Sequence, residues 1–257
     1  YYGSHDKEGG YTYCMEDYVV YSAPVDNLTD WKCEGVSYCA KQDPGYPQFQ
    51  YMYAPDVVQG NDGNYYLYYC MAGEYGIGGY SRPISVAVSK HPAGPFGYLG
   101  HVHYKDGTVM KKYVCFDPAV INDAGTIRIY YGTRYDFEER EDFEQNPEYL
   151  KQEMEMFGKT KDEILSYRNH PESCKSGNPE DPDSVMGPVM AVLEDDMVTI
   201  KEDSHHIIPY KVKGTSFEAH PFFEGASIRK ISDTYYFIYS SWQNHELCYA
   251  TSAYPDR

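Results

Sequence analysis

The chain has 257 residues, 42% of them hydrophobic, with 30 tyrosines, 10 phenylalanines and a formal net charge of −17 at pH 7. That length buries a large core within one domain, and the aromatic share favours strands. The negative charge repels phosphate backbones and anionic lipid, so no nucleic acid and no membrane surface is expected as partner, and a neutral substrate is favoured.

No stretch approaches the roughly 20 consecutive apolar residues of a membrane helix, and the opening YYGSHDKEGG lacks the basic and apolar regions of a signal peptide. The seven cysteines, Cys14, Cys33, Cys39, Cys70, Cys115, Cys174 and Cys248, include no C-x-x-C pair. They read as reduced, buried thiols, which points to a cytoplasmic location.

Tyr1 and Tyr2 read as the interior of a strand, with no cap or turn before them. Together with DYVVYS (17–22) and WKCEGVSY (31–38), joined by the turn-rich APVDNLTD, they predict one antiparallel unit. A second unit opens at Tyr53 with YAPDVVQGNDGNYYLYY, whose turn lies at Asn61 to Asn64, and continues through SVAVSK and FGYLGHVHY. The glycines from Gly73 to Gly79 lack both the G-x-G-x-x-G spacing and a following Lys-Ser/Thr, so they are no phosphate cradle.

The third unit begins at Phe116 with FDPAVINDAGTIRIYY and is interrupted by a polar, acidic segment over residues 134–186. PEYLKQEMEMF and DEILSYRN have helical spacing there, and Thr160 with Glu163 forms a capping box, which predicts an inserted, partly helical excursion. It suits either a lid or a solvated charged surface. The unit resumes with PVMAVLED and a strand near HHIIPY, and a fourth unit follows as FEAHPFFEGASIRKISDTYYFIYS and LCYATSAYP.

Three of the units share one plan: a carboxylate, a short apolar run, a polar turn and an aromatic strand. The repeat places Asp56, Asp117 and Glu224 at equivalent positions. Its spacing of about 60 residues suits four-stranded propeller blades, whose innermost strands gather equivalent residues at one end of a central channel. The predicted fold is an all-β β-propeller with about four blades present, in a single domain whose chain begins mid-strand. Like charges gathered in a tyrosine-lined funnel favour protonation of one carboxylate beside ionised neighbours, the arrangement glycosidic cleavage needs.

These motifs resemble glycoside hydrolase family 43, the five-bladed propellers that include arabinofuranosidases, β-xylosidases and arabinanases, and the resemblance implies an all-β, five-bladed β-propeller of which this chain is truncated at both ends. YAPDVV is similar to the family's W/Y-A-P-D-V motif, FDPAVI to its D-P-x-V/I motif and FFEGASIRK to its E-G-x-x-I-x-K motif. The resemblance implies Glu224 as general acid and Asp117 as the ionised aspartate that tunes and orients it. It also implies an aspartate general base on the first inner strand, expected upstream of Tyr1, since neither Asp6 nor Asp17 sits in a suitable strand opening. The implied activity is an inverting, exo-acting hydrolase releasing arabinofuranosyl or xylosyl units from plant oligosaccharides. Its rivals are a retaining β-fructosidase-like propeller and a non-catalytic carbohydrate-binding propeller.

Substrate-binding candidates are Asp56, Tyr53, Phe116, Arg134 and Trp242, with core packing as the common alternative for any aromatic. By resemblance His245 stands near a possible central metal ion, and a structural histidine is the equal alternative. No cofactor is required; calcium is compatible with the family, although no ligand set in the chain demands it. His205-His206 and His101-x-His103 lack zinc spacing.

Overall fold

The computed structural model describes residues 2–8, 14–46, 50–71, 82–133, 151, 154, 160–162, 187–209, 213–241 and 246–257. The strands within this set form four antiparallel sheets taken up one after another along the chain. Blade 1 holds β1 (Tyr2–Asp6), β2 (Met15–Ser22) and β3 (Lys32–Cys39). Blade 2 holds β4 (Met52–Gln59), β5 (Tyr65–Met71), β6 (Ile84–Ser89) and β7 (Gly97–His101). In blade 3, β8 (Ala119–Asp123) and β9 (Thr126–Tyr131) precede β10 (Val189–Leu193) and β11 (Ile200–His206). A short helix α1 (Ser216–Ala219) leads into blade 4, made of β12 (Phe222–Ile231), β13 (Thr234–Ser241) and β14 (Leu247–Ser252).

Side-chain alternation explains how the blades stack. Successive residues of a strand point to opposite faces of its sheet. In β5, Tyr66, Tyr68 and Cys70 enter the core shared with blade 3, whereas Leu67, Tyr69 and Met71 enter the core shared with blade 1. Blade 3 repeats this: Val189, Ala191 and Leu193 of β10 face blade 2, while Met190 and Val192 face the aromatic residues Phe222, Phe237 and Tyr239 of blade 4. Blades 2 and 3 are therefore covered on both faces, and their central strands read as unbroken apolar runs. β13 alternates strictly between partly buried and buried residues.

Polar side chains fasten the hairpin ends of neighbouring blades. Asn61 Nδ2, in the turn of blade 2, donates to Gly125 O at 2.9 Å and to Asp195 Oδ1 at 2.8 Å in blade 3. Asn122 Nδ2 returns a bond to Gln59 O at 3.0 Å. At the end of β8, Asp123 receives Lys230 Nζ at 2.7 Å and the Tyr235 hydroxyl from blade 4, and Arg128 Nη1 at 3.0 Å from its own blade. The β12–β13 turn places Ser232 at φ +54°, a left-handed conformation that disfavours most side chains.

One expectation is corrected. The outer strand of blade 3 runs over Ile200–His206 and ends where HHIIPY was expected to begin its strand. Ile207 N instead bonds Pro188 O at 3.1 Å, and Ile208 is buried as a loop residue between blades 3 and 4. The predicted excursion over 134–186 falls between β9 and β10; apart from residues 151, 154 and 160–162 it lies outside the described residues, as does Glu163 of the Thr160–Glu163 box. Among the described residues no helix is long and apolar enough to cross a membrane.

Candidate active site

The inner strands β4, β8 and β12 lie side by side, and toward their hairpin ends they line an open cavity of about 590 Å³ with Val57, Gln59, Val120, Asn122, Ile228 and Arg229; Asp56, Asp117 and Glu224 are not among the residues lining it. Asp117 and Glu224 sit where β8 and β12 open, and Asp56 is the fifth residue of β4. Asp117 lies two residues before β8 at φ +48°, a left-handed conformation aspartate tolerates better than most residues. Its flanking backbone is fixed by Gly132 N, which donates to Phe116 O at 2.8 Å. Gly132 itself has φ +127°, and a Cβ there would stand 2.0 Å from Gly187 O, so only glycine fits.

Glu224 sits on β12 between two register shifts, from Phe222 to Glu224 and from Glu224 to Ser227. The next residue, Gly225, has φ +74°. Bulges of this kind bend a strand and re-aim its side chains. Here the bulge presents the Gly225 N–H to Asp117 Oδ2 at 2.8 Å, which couples the two strand openings across the blade boundary.

Asp117 is 7% exposed. Burial, and then the negative charge of Glu224, push its carboxyl up to about 7, against the opposing effect of the Gly225 N–H. A single backbone donor does not offset the lost solvation of the buried carboxylate, so Asp117 is ionised only above about pH 7.

Asp56 is not equivalent to the other two. It pairs with Tyr68, three residues into β5, whereas Glu224 pairs with Ser240, six residues into β13. A bulge between Tyr53 and Asp56 produces this offset and accommodates Pro55 within the strand. Asp56 Oδ2 accepts the Val120 N–H at 2.8 Å, joining β4 to β8. Burial raises its pKa, opposed by the Val120 N–H and the positive charge of Arg229. The residue expected to bind sugar thus has one oxygen committed to holding two blades together.

Tyr53 and Phe116 are 5% and 7% exposed, and their rings meet edge to face with centroids 5.4 Å apart. They pack against each other in the core between blades 2 and 3 rather than presenting a sugar-stacking face, Tyr53 from β4 and Phe116 from the segment before β8. Arg134, Trp242 and His245 lie outside the described residues. Sequence reasoning missed the Gly225 N–H, the charge of Arg229 near Asp56, and Thr133, whose hydroxyl donates to Phe223 O at 3.4 Å. Only the glycine after Glu224 left a signal, as a residue free to adopt positive φ.

Among the described residues one group of three or more His, Cys, Asp or Glu side chains converges as metal ligands do, and it contains a thiol and an imidazole. Calcium favours six to eight oxygen ligands, so the described residues do not fit it.

The family model for glycosyl hydrolases family 43 matches residues 11–178. A xylosidase/arabinosidase of Thermoclostridium stercorarium is 38% identical over 264 residues, which cover 100% of this chain and 45% of that protein. The chain therefore spans about half the length of that relative. A xylosidase/arabinosidase of Bacteroides ovatus is 28% identical over 266 residues, covering 99% of this chain and 70% of its own. Two solved structures each align at a TM-score of 0.65 and 26% identity over 100% of this chain. One is a GH43_1 enzyme from Xanthomonas citri complexed with xylotriose, covered to 67%. The other is a β-xylosidase/α-arabinofuranosidase from a compost microbial metagenome, in complex with xylotriose in a calcium-free form and covered to 70%. The blades, the ordered strand-opening motifs and a family match over more than half of its residues together show that the chain belongs to glycosyl hydrolases family 43.

Proposed function

We propose that the chain carries the acid half of an inverting, exo-acting glycosidase that removes xylosyl or arabinofuranosyl units from plant oligosaccharides. The observation that carries this reading is the Asp117–Gly225 bond, which holds a buried carboxyl against the residue next to Glu224. Glu224 donates its proton to the leaving glycosidic oxygen. When ionised, Asp117 supplies a like charge that favours a proton on Glu224, and its bond to Gly225 fixes the backbone from which Glu224 projects.

Inversion also needs a base roughly 6.5–9.5 Å from the acid, on the opposite face of the sugar. Asp6 closes β1 rather than opening it, and Asp17 is bonded to His5 Nδ1 at 2.8 Å. We therefore assign the base outside the described residues. The named activities of the xylosidase/arabinosidase relatives and the xylotriose complexes support the choice of sugar.

Glu224→Gln in the full-length protein tests the assignment. Turnover of xylosides and arabinofuranosides with poor leaving groups is expected to fall by at least about 100-fold, while activated aryl glycosides lose less. Equal rates for the variant and the parent on unactivated oligosaccharide refute the acid role. Proton NMR of the first-formed product reads inversion directly, and a retained anomer overturns that part of the mechanism.

A further inference from the structure

Blade 4 carries a cluster that the hydrolytic reading does not use. His220 lies between α1 and β12, Glu246 immediately precedes β14, and Cys248 is the second residue of that strand. The ligating atoms of these three side chains all lie within 4.8 Å of one another. His220 Nδ1 and Glu246 Oε2 are already 2.6 Å apart.

The placement follows from the sheet. Glu246 and Cys248 are two residues apart along an extended segment, so they share a face. Ser241 N donates to Glu246 O at 2.9 Å, and Cys248 pairs with Tyr239. The Tyr239 hydroxyl then donates to His220 O at 2.8 Å, which fixes the third member against the same strand. Three donors from two separate parts of the chain are thus held together by backbone pairing and a buried tyrosine.

We propose that His220, Glu246 and Cys248 bind a soft divalent ion of the zinc class. A thiolate with an imidazole selects zinc-type ions over calcium or magnesium, and three protein ligands leave a fourth, tetrahedral position for water. Ligand distances of about 2.0–2.3 Å require the three atoms to draw together slightly around the ion. Binding exchanges the His220–Glu246 hydrogen bond for two metal–ligand bonds. It shifts the imidazole proton to Nε2 and releases one proton from the Cys248 thiol. In the metal-free protein burial holds that thiol protonated, aided by the charge of Glu246 and opposed by Ser241. The site lies at the same end of blade 4 as the general acid, since Phe222 pairs with Ser241 and Glu224 with Ser240. A bound ion therefore ties the segment entering β12 to the outer strand β14.

Cobalt(II) titration of the purified protein reads the thiolate ligand through sulfur-to-cobalt charge-transfer absorption. The expected result is saturation at one equivalent, displacement by zinc, and proton release in weakly buffered solution. Cys248→Ser removes the band, Cys33→Ser at an exposed thiol keeps it, and His220→Gln weakens cobalt binding at least about tenfold. Absence of the band in the parent, its survival in Cys248→Ser, or parent-like affinity in His220→Gln overturns the proposal. None of these readouts depends on glycosidase activity, so failure of the catalytic assignment leaves them standing.

Discussion

Replacing Asp117 by asparagine separates what the residue does for folding from what it does for chemistry. The amide oxygen still accepts the Gly225 N–H, so the bond between blades 3 and 4 is kept, while the charge facing Glu224 is lost. In the parent the carboxyl rises from 3.8 to about 7, chiefly through burial. At about 1.4 kcal/mol per pKa unit this is about 4 kcal/mol against the ionised native state. The native state binds this proton more tightly than the unfolded chain, so stability is greatest below about pH 4 for this group. It falls as pH rises and levels off above about pH 7. Asp117→Asn is expected to lose that slope and to be the more stable protein at pH 8, by up to about 4 kcal/mol. Its hydrolysis of unactivated substrate is expected to drop, with the alkaline limb of kcat/KM moving to lower pH as Glu224 loses its charged neighbour. Urea unfolding of both proteins at intervals from pH 4 to pH 9 measures the difference. Parallel stability curves refute the buried, elevated carboxyl, whatever the activity shows.

Two further substitutions test the frame around the site. Gly132→Ala places a methyl 2.0 Å from Gly187 O at a φ of +127°, and a loss of at least about 3 kcal/mol is expected; a thermal midpoint within a degree or two of the parent contradicts the packing. Ser232→Gly relieves a left-handed residue in the β12–β13 turn and is expected to stabilise by about 0.5–1 kcal/mol, with kcat unchanged. A lower unfolding midpoint means that the turn does not have that conformation.

The blades were legible because each hairpin combines turn residues with period-two aromatic strands, and those signals are local. β11 was not: in IKEDSHH only Ile200 and Ser204 are buried, so an outer strand with one sparsely apolar face resembles a loop. The apolar pair that followed it drew the expectation downstream. The matching placement of Glu224 and Asp117 was legible because the bulge at Glu224 brings its pairing into line with the opening before β8. Asp56 occupies the matching place in its motif, yet an inserted residue and a longer turn shift its pairing, and neither leaves a distinct mark in the sequence. Tyr53 and Phe116 exposed the other limit. Aromatic identity tells that a ring is buried against something, while its facing is decided by which side of the pleat it occupies. The His220–Glu246–Cys248 cluster was invisible for a related reason, since only sheet pairing brings its loop and strand members together.

Asp117 and Asp123 hold β8 against β12 at opposite ends, one through Gly225 and the other through Lys230 and Tyr235. Two attachments along one strand pair prevent blade 4 from pivoting about either of them. The placement of Asp117 against the backbone beside Glu224 is then a property of the scaffold, and little reorganisation is left for the proposed proton transfer. A site so arranged is expected to show its substrate preference through the surrounding loops, while the proton-donating step changes little from one accepted glycoside to the next.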